Sequence, residues 1–163
     1  KETTMSDRKT ALRERIAADH AASLEILKAI PAEKWATPVP SDEGASWTAR
    51  DVLAHLAVSE SGQLGPLRRA LAGEVTLPAD FDLNRYNRGS VKKRADKSAA
   101  ELLAEIEAGH AEVLAQLEQT PEAALDKTGR HARGDTLTVE QFFGRITEHR
   151  LQHARELQRA LLA

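Results

Sequence analysis

Four stretches of this chain repeat apolar residues at three- and four-residue spacing, and that periodicity restricts the fold more than any other feature. The first carries Leu12, Ile16, Leu24, Leu27 and Ile30, between Ser6 as a candidate cap and Pro31 as a stop. The second opens at Thr48, with Asp51 three residues on as a capping box. It continues through Val52, Leu53, Leu56, Leu64, Leu67 and Leu71 to Gly73, and Gly62, Gly65 and Pro66 predict a kink inside it. Ser98 and Glu101 open the third, striped by Leu102, Leu103, Ile106, Val113, Leu114 and Leu117. Thr138 caps the fourth, which holds Val139, Phe142, Phe143, Ile146, Leu157 and Leu161. Residues 31–46, 74–97 and 119–137 are connections broken by proline or glycine, the middle one with room for a short helix. No strand pattern stands out. The expectation is an all-α four-helix bundle with long connections, a single domain over 1–163 with Met5 as natural start and residues 1–5 outside the fold. Connections this long permit a crossover between helices or shape a site at one end.

Composition removes several function classes. The 163 residues hold 23 Lys plus Arg against 25 Asp plus Glu, a net charge of −2, which speaks against a general nucleic-acid binder. There is no cysteine, so disulfides, thiolate metal sites and a cysteine nucleophile are excluded. No apolar run approaches the roughly 20 residues that span a bilayer, and the opening residues lack a signal-peptide core. The expected setting is the cytoplasm, with no membrane and no nucleic-acid partner.

Chemistry then falls to the six histidines. His149 and His153 lie four apart, which on a helix puts them one turn apart on one face, able to share a metal ion. They also stand in phase with Phe142, Ile146 and Leu157, where core residues are expected. Solvated or hydrogen-bonded imidazoles are the ordinary alternative for such a pair. A third ligand must come from elsewhere, and His55, one turn after Val52, is the candidate; taken alone it reads first as a satisfied core or boundary histidine. His20 and His110 read as core residues, His131 as solvated, and Glu148 or Gln152 as an orienting neighbour. Glu107 and His110 make one Glu-x-x-His, and no second exists, which argues against a di-iron bundle. The basic run from Arg85 to Lys97 is either a solvated loop or a contact for an anionic ligand. HExxH, P-loop, GxGxxG and nucleophile-elbow motifs are absent.

Taken in order, several segments resemble the DinB/YfiT-like superfamily of helical bundles. They are Trp47-Thr48-x-x-Asp51-Val52-Leu53-x-His55-Leu56, then Phe81-Asp82-Leu83-Asn84, the helix from Ser98 to Leu117, and His149-x3-His153. The chain is similar also to the metal-binding domain of mycothiol-dependent maleylpyruvate isomerases within that superfamily. The resemblance implies a DinB/YfiT-type four-helix bundle and a divalent ion, zinc or nickel, held by His55, His149 and His153. It implies a homodimer, and a thiol S-transferase or isomerase activity with a low-molecular-weight thiol such as mycothiol or bacillithiol. Arg85, Arg88 and Lys92 are then expected to contact carboxylates of the thiol or of its electrophilic partner. The alternative is a non-catalytic stress-response or partner-binding bundle with a structural or vestigial metal site. A closing fourth ligand, Glu60 or His110, stays open at this point.

Overall fold

The computed structural model describes residues 6–41 and 46–162, so the expectation for residues 1–5 lies outside the described residues. Helices α1 (Asp7–Lys28), α2 (Ala49–Ala72), α4 (Ala99–Gln119) and α5 (Val139–Leu162) form a four-helix bundle. The shorter α3 (Leu83–Lys92) occupies the middle connection. The caps act locally. Ser6 accepts from the Lys9 amide, and Thr48 with Asp51 and Ser98 with Glu101 each close a full capping box. Thr138 and Gln141 exchange the same two bonds at the start of α5. Gly73 ends α2 with φ 72°, a left-handed conformation that favours glycine. Helix α2 runs without interruption through Gly62, Gly65 and Pro66.

Two ribbons depart from the all-helix expectation. β1 (Pro38–Val39) pairs antiparallel with β2 (Trp47–Thr48), and β3 (Thr128–Arg130) with β4 (Thr136–Thr138). Each strand has two or three residues, too few for an alternating pattern to show in the sequence.

The helices are not arranged in chain order. α1 packs chiefly on α5, and α2 on α4 and α5, so α1 and α2 are not the main partners of each other. The long connections serve this crossover. The core is then divided. Leu27, Leu53, Leu102 and Leu157 belong to one apolar cluster, and Ile16, Leu67, Leu117 and Phe143 to another. Each buried leucine contributes about 1.5–3 kcal/mol.

Between the clusters runs a polar layer. Arg150 of α5, fully buried, pairs with buried Glu60 of α2. Its Nε donates to Ser23 Oγ at 3.0 Å and its Nη2 to His20 Nδ1 at 2.7 Å, both on α1. The His20 ring stacks on His110 of α4 at 3.6 Å, nearly parallel. Gly109 makes room, since a Cβ there would meet the Glu60 Cβ at 2.5 Å. His110 is thus buried and His20 half-buried, partners in one network.

The two histidines of that layer lose their contribution to stability in acid. Burial, then the Arg150 charge, lowers His20 to about 3 and His110 to about 4, from 6.5. His20 Nδ1 already accepts from Arg150, and protonation would break that bond. The unfolded chain therefore binds more protons below pH 6.5, so this stability is complete above 6.5 and lost as pH falls toward 4. After discounting for partial exposure, the pair accounts for about 3 kcal/mol by pH ~4.5, or roughly 10 °C of melting temperature. Calorimetry of metal-free protein across that range should show a steeper fall than in a His20→Gln/His110→Gln variant. Parallel profiles would remove this account.

Candidate metal centre

The capping box that starts α2 fixes the helix phase, and one turn after Asp51 that phase delivers His55 beside α5. Trp47, held in β2 against Val39, covers it with ring centroids 5.7 Å apart. On α5, His149 and His153 lie one turn apart with their rings edge to face, centroids 4.6 Å apart. His149 Nε2 lies 3.4 Å from His55 Nε2 and 3.1 Å from His153 Nε2. One ring nitrogen from each of the three comes within 4.8 Å of the others. A tetrahedral ion with metal–nitrogen bonds of 2.0–2.1 Å sets its ligand nitrogens about 3.3 Å apart. The donor set and spacing therefore fit a divalent ion. Neutral imidazoles fit the arrangement less well on their own, because three ring nitrogens converge where few protons are available to bridge them.

The surroundings orient the rings. His153 Nδ1 donates to Glu156 Oε2 at 3.0 Å, which leaves its Nε2 lone pair directed at His149. Gln152 Nε2 donates to the other Glu156 oxygen at 3.1 Å, while Glu148 is exposed. Gln152 thus acts at one remove, and Glu156 is the carboxylate in contact. Burial first, then His153, His55 and Arg133, holds His149 well below the usual imidazole range. A neutral imidazole is the form that ligates.

The cluster opens on a cavity of about 1110 Å³. One part of its lining is apolar, with Trp47, Leu77, Phe81 and Tyr86, and another is cationic, with Arg69, Arg133, Arg145 and Arg159. Arg85, Arg88 and Lys92 are exposed on α3 and do not line it; Asn84 and Asn87 of the same helix do. Glu60 and His110 sit in the polar layer, with Glu60 engaged by Arg150. His131, expected in solvent, is buried instead. The turn joining β3 to β4 folds it inward, its amide donating to the Asp135 carbonyl at 2.8 Å and its ring 5.6 Å from Phe142. Glu156 and Arg145 carried a readable signal, since they stand three residues after His153 and four before His149, on the same helix face.

A family model described as DinB superfamily matches residues 15–157. No curated protein matches the chain. Solved structures share the fold at low identity. YfiT from Bacillus subtilis, described as a probable metal-dependent hydrolase with an unusual four-helix bundle topology, is 20% identical, with a TM-score of 0.70 over 98% of this chain and 91% of that one. The mycothiol-dependent maleylpyruvate isomerase is 17% identical, with a TM-score of 0.73 over 90% of this chain, which spans 60% of that one. The colibactin self-resistance protein ClbS, in complex with a dsDNA, is 14% identical, with a TM-score of 0.76 over 95% of this chain and 96% of that one.

Proposed function

Because the chain belongs to the DinB superfamily, we propose that it is a metal-dependent enzyme whose His55, His149 and His153 hold one divalent ion, zinc or nickel, and whose co-substrate is a low-molecular-weight thiol such as mycothiol or bacillithiol. One observation carries this reading: three imidazole nitrogens converge where the cluster meets a cavity. Three protein ligands with an open side are the pattern of catalytic sites, whereas structural sites are closed by four. When bound, such an ion supplies Lewis acidity that lowers the pKa of a thiol or of water.

The chain's own residues favour the thiol. Among the described residues that line the cavity, Glu156 is the one carboxylate, and it is committed to His153 Nδ1. No second carboxylate among them stands ready to take a proton from water. A thiol needs less help, because its pKa starts near 8.5. The cavity volume admits a thiol and an electrophile together. Trp47, Phe81 and Tyr86 give one side an aromatic lining. Arg85, Arg88 and Lys92 lie outside the cavity and on this reading make outer contacts with an acidic thiol.

The protein on this reading is a cytoplasmic homodimer, and nucleic acid and membrane have no part in its activity. Among the described residues no helix is long and apolar enough to cross a membrane. The test is conjugation of a chloro-dinitro-arene or an epoxide with mycothiol or bacillithiol, using protein loaded with zinc or nickel beside chelated protein. A rate that requires both metal and thiol is expected. Equal rates with and without metal would overturn the reading, and a metal-dependent, thiol-independent release of product from an ester would replace it with hydrolysis.

A further inference from the structure

The cationic lining of the cavity is out of keeping with the chain as a whole. The protein carries a net charge of −2, yet the described lining residues include four arginines against a single glutamate. Three of the four come from the β3–β4 turn and the helix ends packed against it. Arg145 stands one turn before His149 on α5, and its Nη2 reaches Asp135 at 3.3 Å in the turn between β3 and β4. Arg133 belongs to that turn. Arg69 lies in the last turn of α2, beside Ala70, whose Cβ would meet a Cβ on Gly129 of β3 at 3.0 Å. The turn is therefore pressed against the end of α2 and the start of α5, the elements that carry Arg69 and Arg145. Asp135 offsets part of this charge, being 3.3 Å from Arg145 and 3.7 Å from His131 Nδ1. Even so, cations prevail.

Guanidinium groups lining a cavity favour carboxylate, phosphate or sulfonate oxygens, which they can hold through two parallel bonds. Much of the remaining lining is apolar, with Trp47, Leu77, Phe81 and Tyr86, beside neutral polar side chains such as Gln63, Asn84 and Asn87. A ligand that satisfies both must be an amphipathic organic anion. We propose that the end of the cavity framed by the β3–β4 turn is an anion subsite, in which Arg133 and Arg145 hold the acidic head of such a molecule while Trp47 and Phe81 cover its apolar body. His55 lies beside Trp47 and His149 one turn from Arg145, so the reacting group of the ligand falls near the histidine cluster. This deepens the function proposed above by naming the class of substrate. It rests on that reading for the chemistry alone, since anion binding needs no metal.

The test uses the full chain with metal removed by a chelator. The probes are 8-anilinonaphthalene-1-sulfonate and N-phenyl-1-naphthylamine, which share a scaffold and differ by the sulfonate. Binding is read from probe emission and from quenching of tryptophan. The sulfonate is expected to bind at least ten-fold more tightly than the neutral probe, and to weaken as salt rises. Arg133→Ala, on an exposed side chain, should weaken the sulfonate about ten-fold and leave the neutral probe within two-fold, and Arg145→Ala should do the same. Equal affinity for the two probes, or variants that weaken both alike, would overturn the proposal, as would failure of the sulfonate to bind. Trp47→Phe should reduce the quenching without abolishing sulfonate binding; if quenching is unchanged, the probe sits elsewhere and the proposal fails. Because no metal is present, discrimination between probes in a protein that never takes up zinc or nickel would keep this subsite and sink the metal reading instead.

Discussion

His149→Ala is expected to lower metal content from about one divalent ion per chain to none. Its Nε2 is the one that stands within 3.4 Å of both other ligand nitrogens, so removing it leaves His55 and His153 without the member that links them. If a three-nitrogen site binds zinc with about 12 kcal/mol, loss of one ligand costs roughly 4 kcal/mol, or about 10³ in affinity. Glu156→Gln should cost less, about 10- to 100-fold, because it disturbs only the orientation of His153. The metal-free fold should lose much less, since His149 Nδ1 has no hydrogen-bond partner and its Nε2 contacts only the two other imidazoles. Metal should stabilise the wild type by about 4 kcal/mol when supplied at 1,000 times Kd, and leave the variant unchanged. Plasma mass spectrometry of protein purified without a nickel column, together with melting curves with and without zinc, checks both parts. Retention of one ion per chain in the variant would disprove the assignment.

Arg150→Met is expected to cost about 3–5 kcal/mol of folding stability, although it touches no apolar cluster. The substitution leaves Glu60 buried and unpaired, and takes hydrogen bonds from Ser23 and His20 as well. Burial already pushes the Glu60 carboxyl upward, with Arg150 opposing it. Without the arginine it must take up a proton or draw in water. The double variant Glu60→Met/Arg150→Met should recover at least half of the loss, because a well-packed apolar pair often matches a buried ion pair. Urea unfolding at pH 7 measures both. A single-variant loss below about 1 kcal/mol would mean that water already reaches the layer and the pair is effectively solvated.

The four long helices were legible because the signals that set them are local. Ser6, Thr48, Ser98 and Thr138 each bond to an amide three residues on, and Gly73 stops α2 by its own backbone. Their order around the bundle was not legible, since the pairing of α1 with α5 is settled by contacts across the length of the chain. The reading of α5 also merged two faces. Phe142, Ile146, His149 and His153 looked like one stripe, yet Ile146, Arg150 and Ala154 face the bundle interior while Arg145, His149, His153 and Glu156 face the cavity. Arg150 escaped notice because a lone arginine in a charged segment is almost always in solvent. His131 was misplaced for a related reason, as the turn that buries it depends on Asp135 and on a two-stranded ribbon too short to foresee. The His55, His149 and His153 grouping could be anticipated from spacing and resemblance together. The arginines that line the cavity come from α2, α5 and a turn, and only the fold brings them together.

The crossover arrangement has a consequence for how the molecule is made. During synthesis, at about 5–20 residues per second, α1 leaves the ribosome long before its main partner α5 exists. The segment from α2 to α4 can assemble in the meantime, leaving the apolar faces of α1 and α2 that await α5 exposed for several seconds. Such non-local closure slows folding relative to an up-and-down bundle of the same size. It also means that a nascent chain ending before Val139 lacks two of its three clustered imidazoles and the arginine that neutralises Glu60. Ligand capture is thereby confined to chains that have already docked α5.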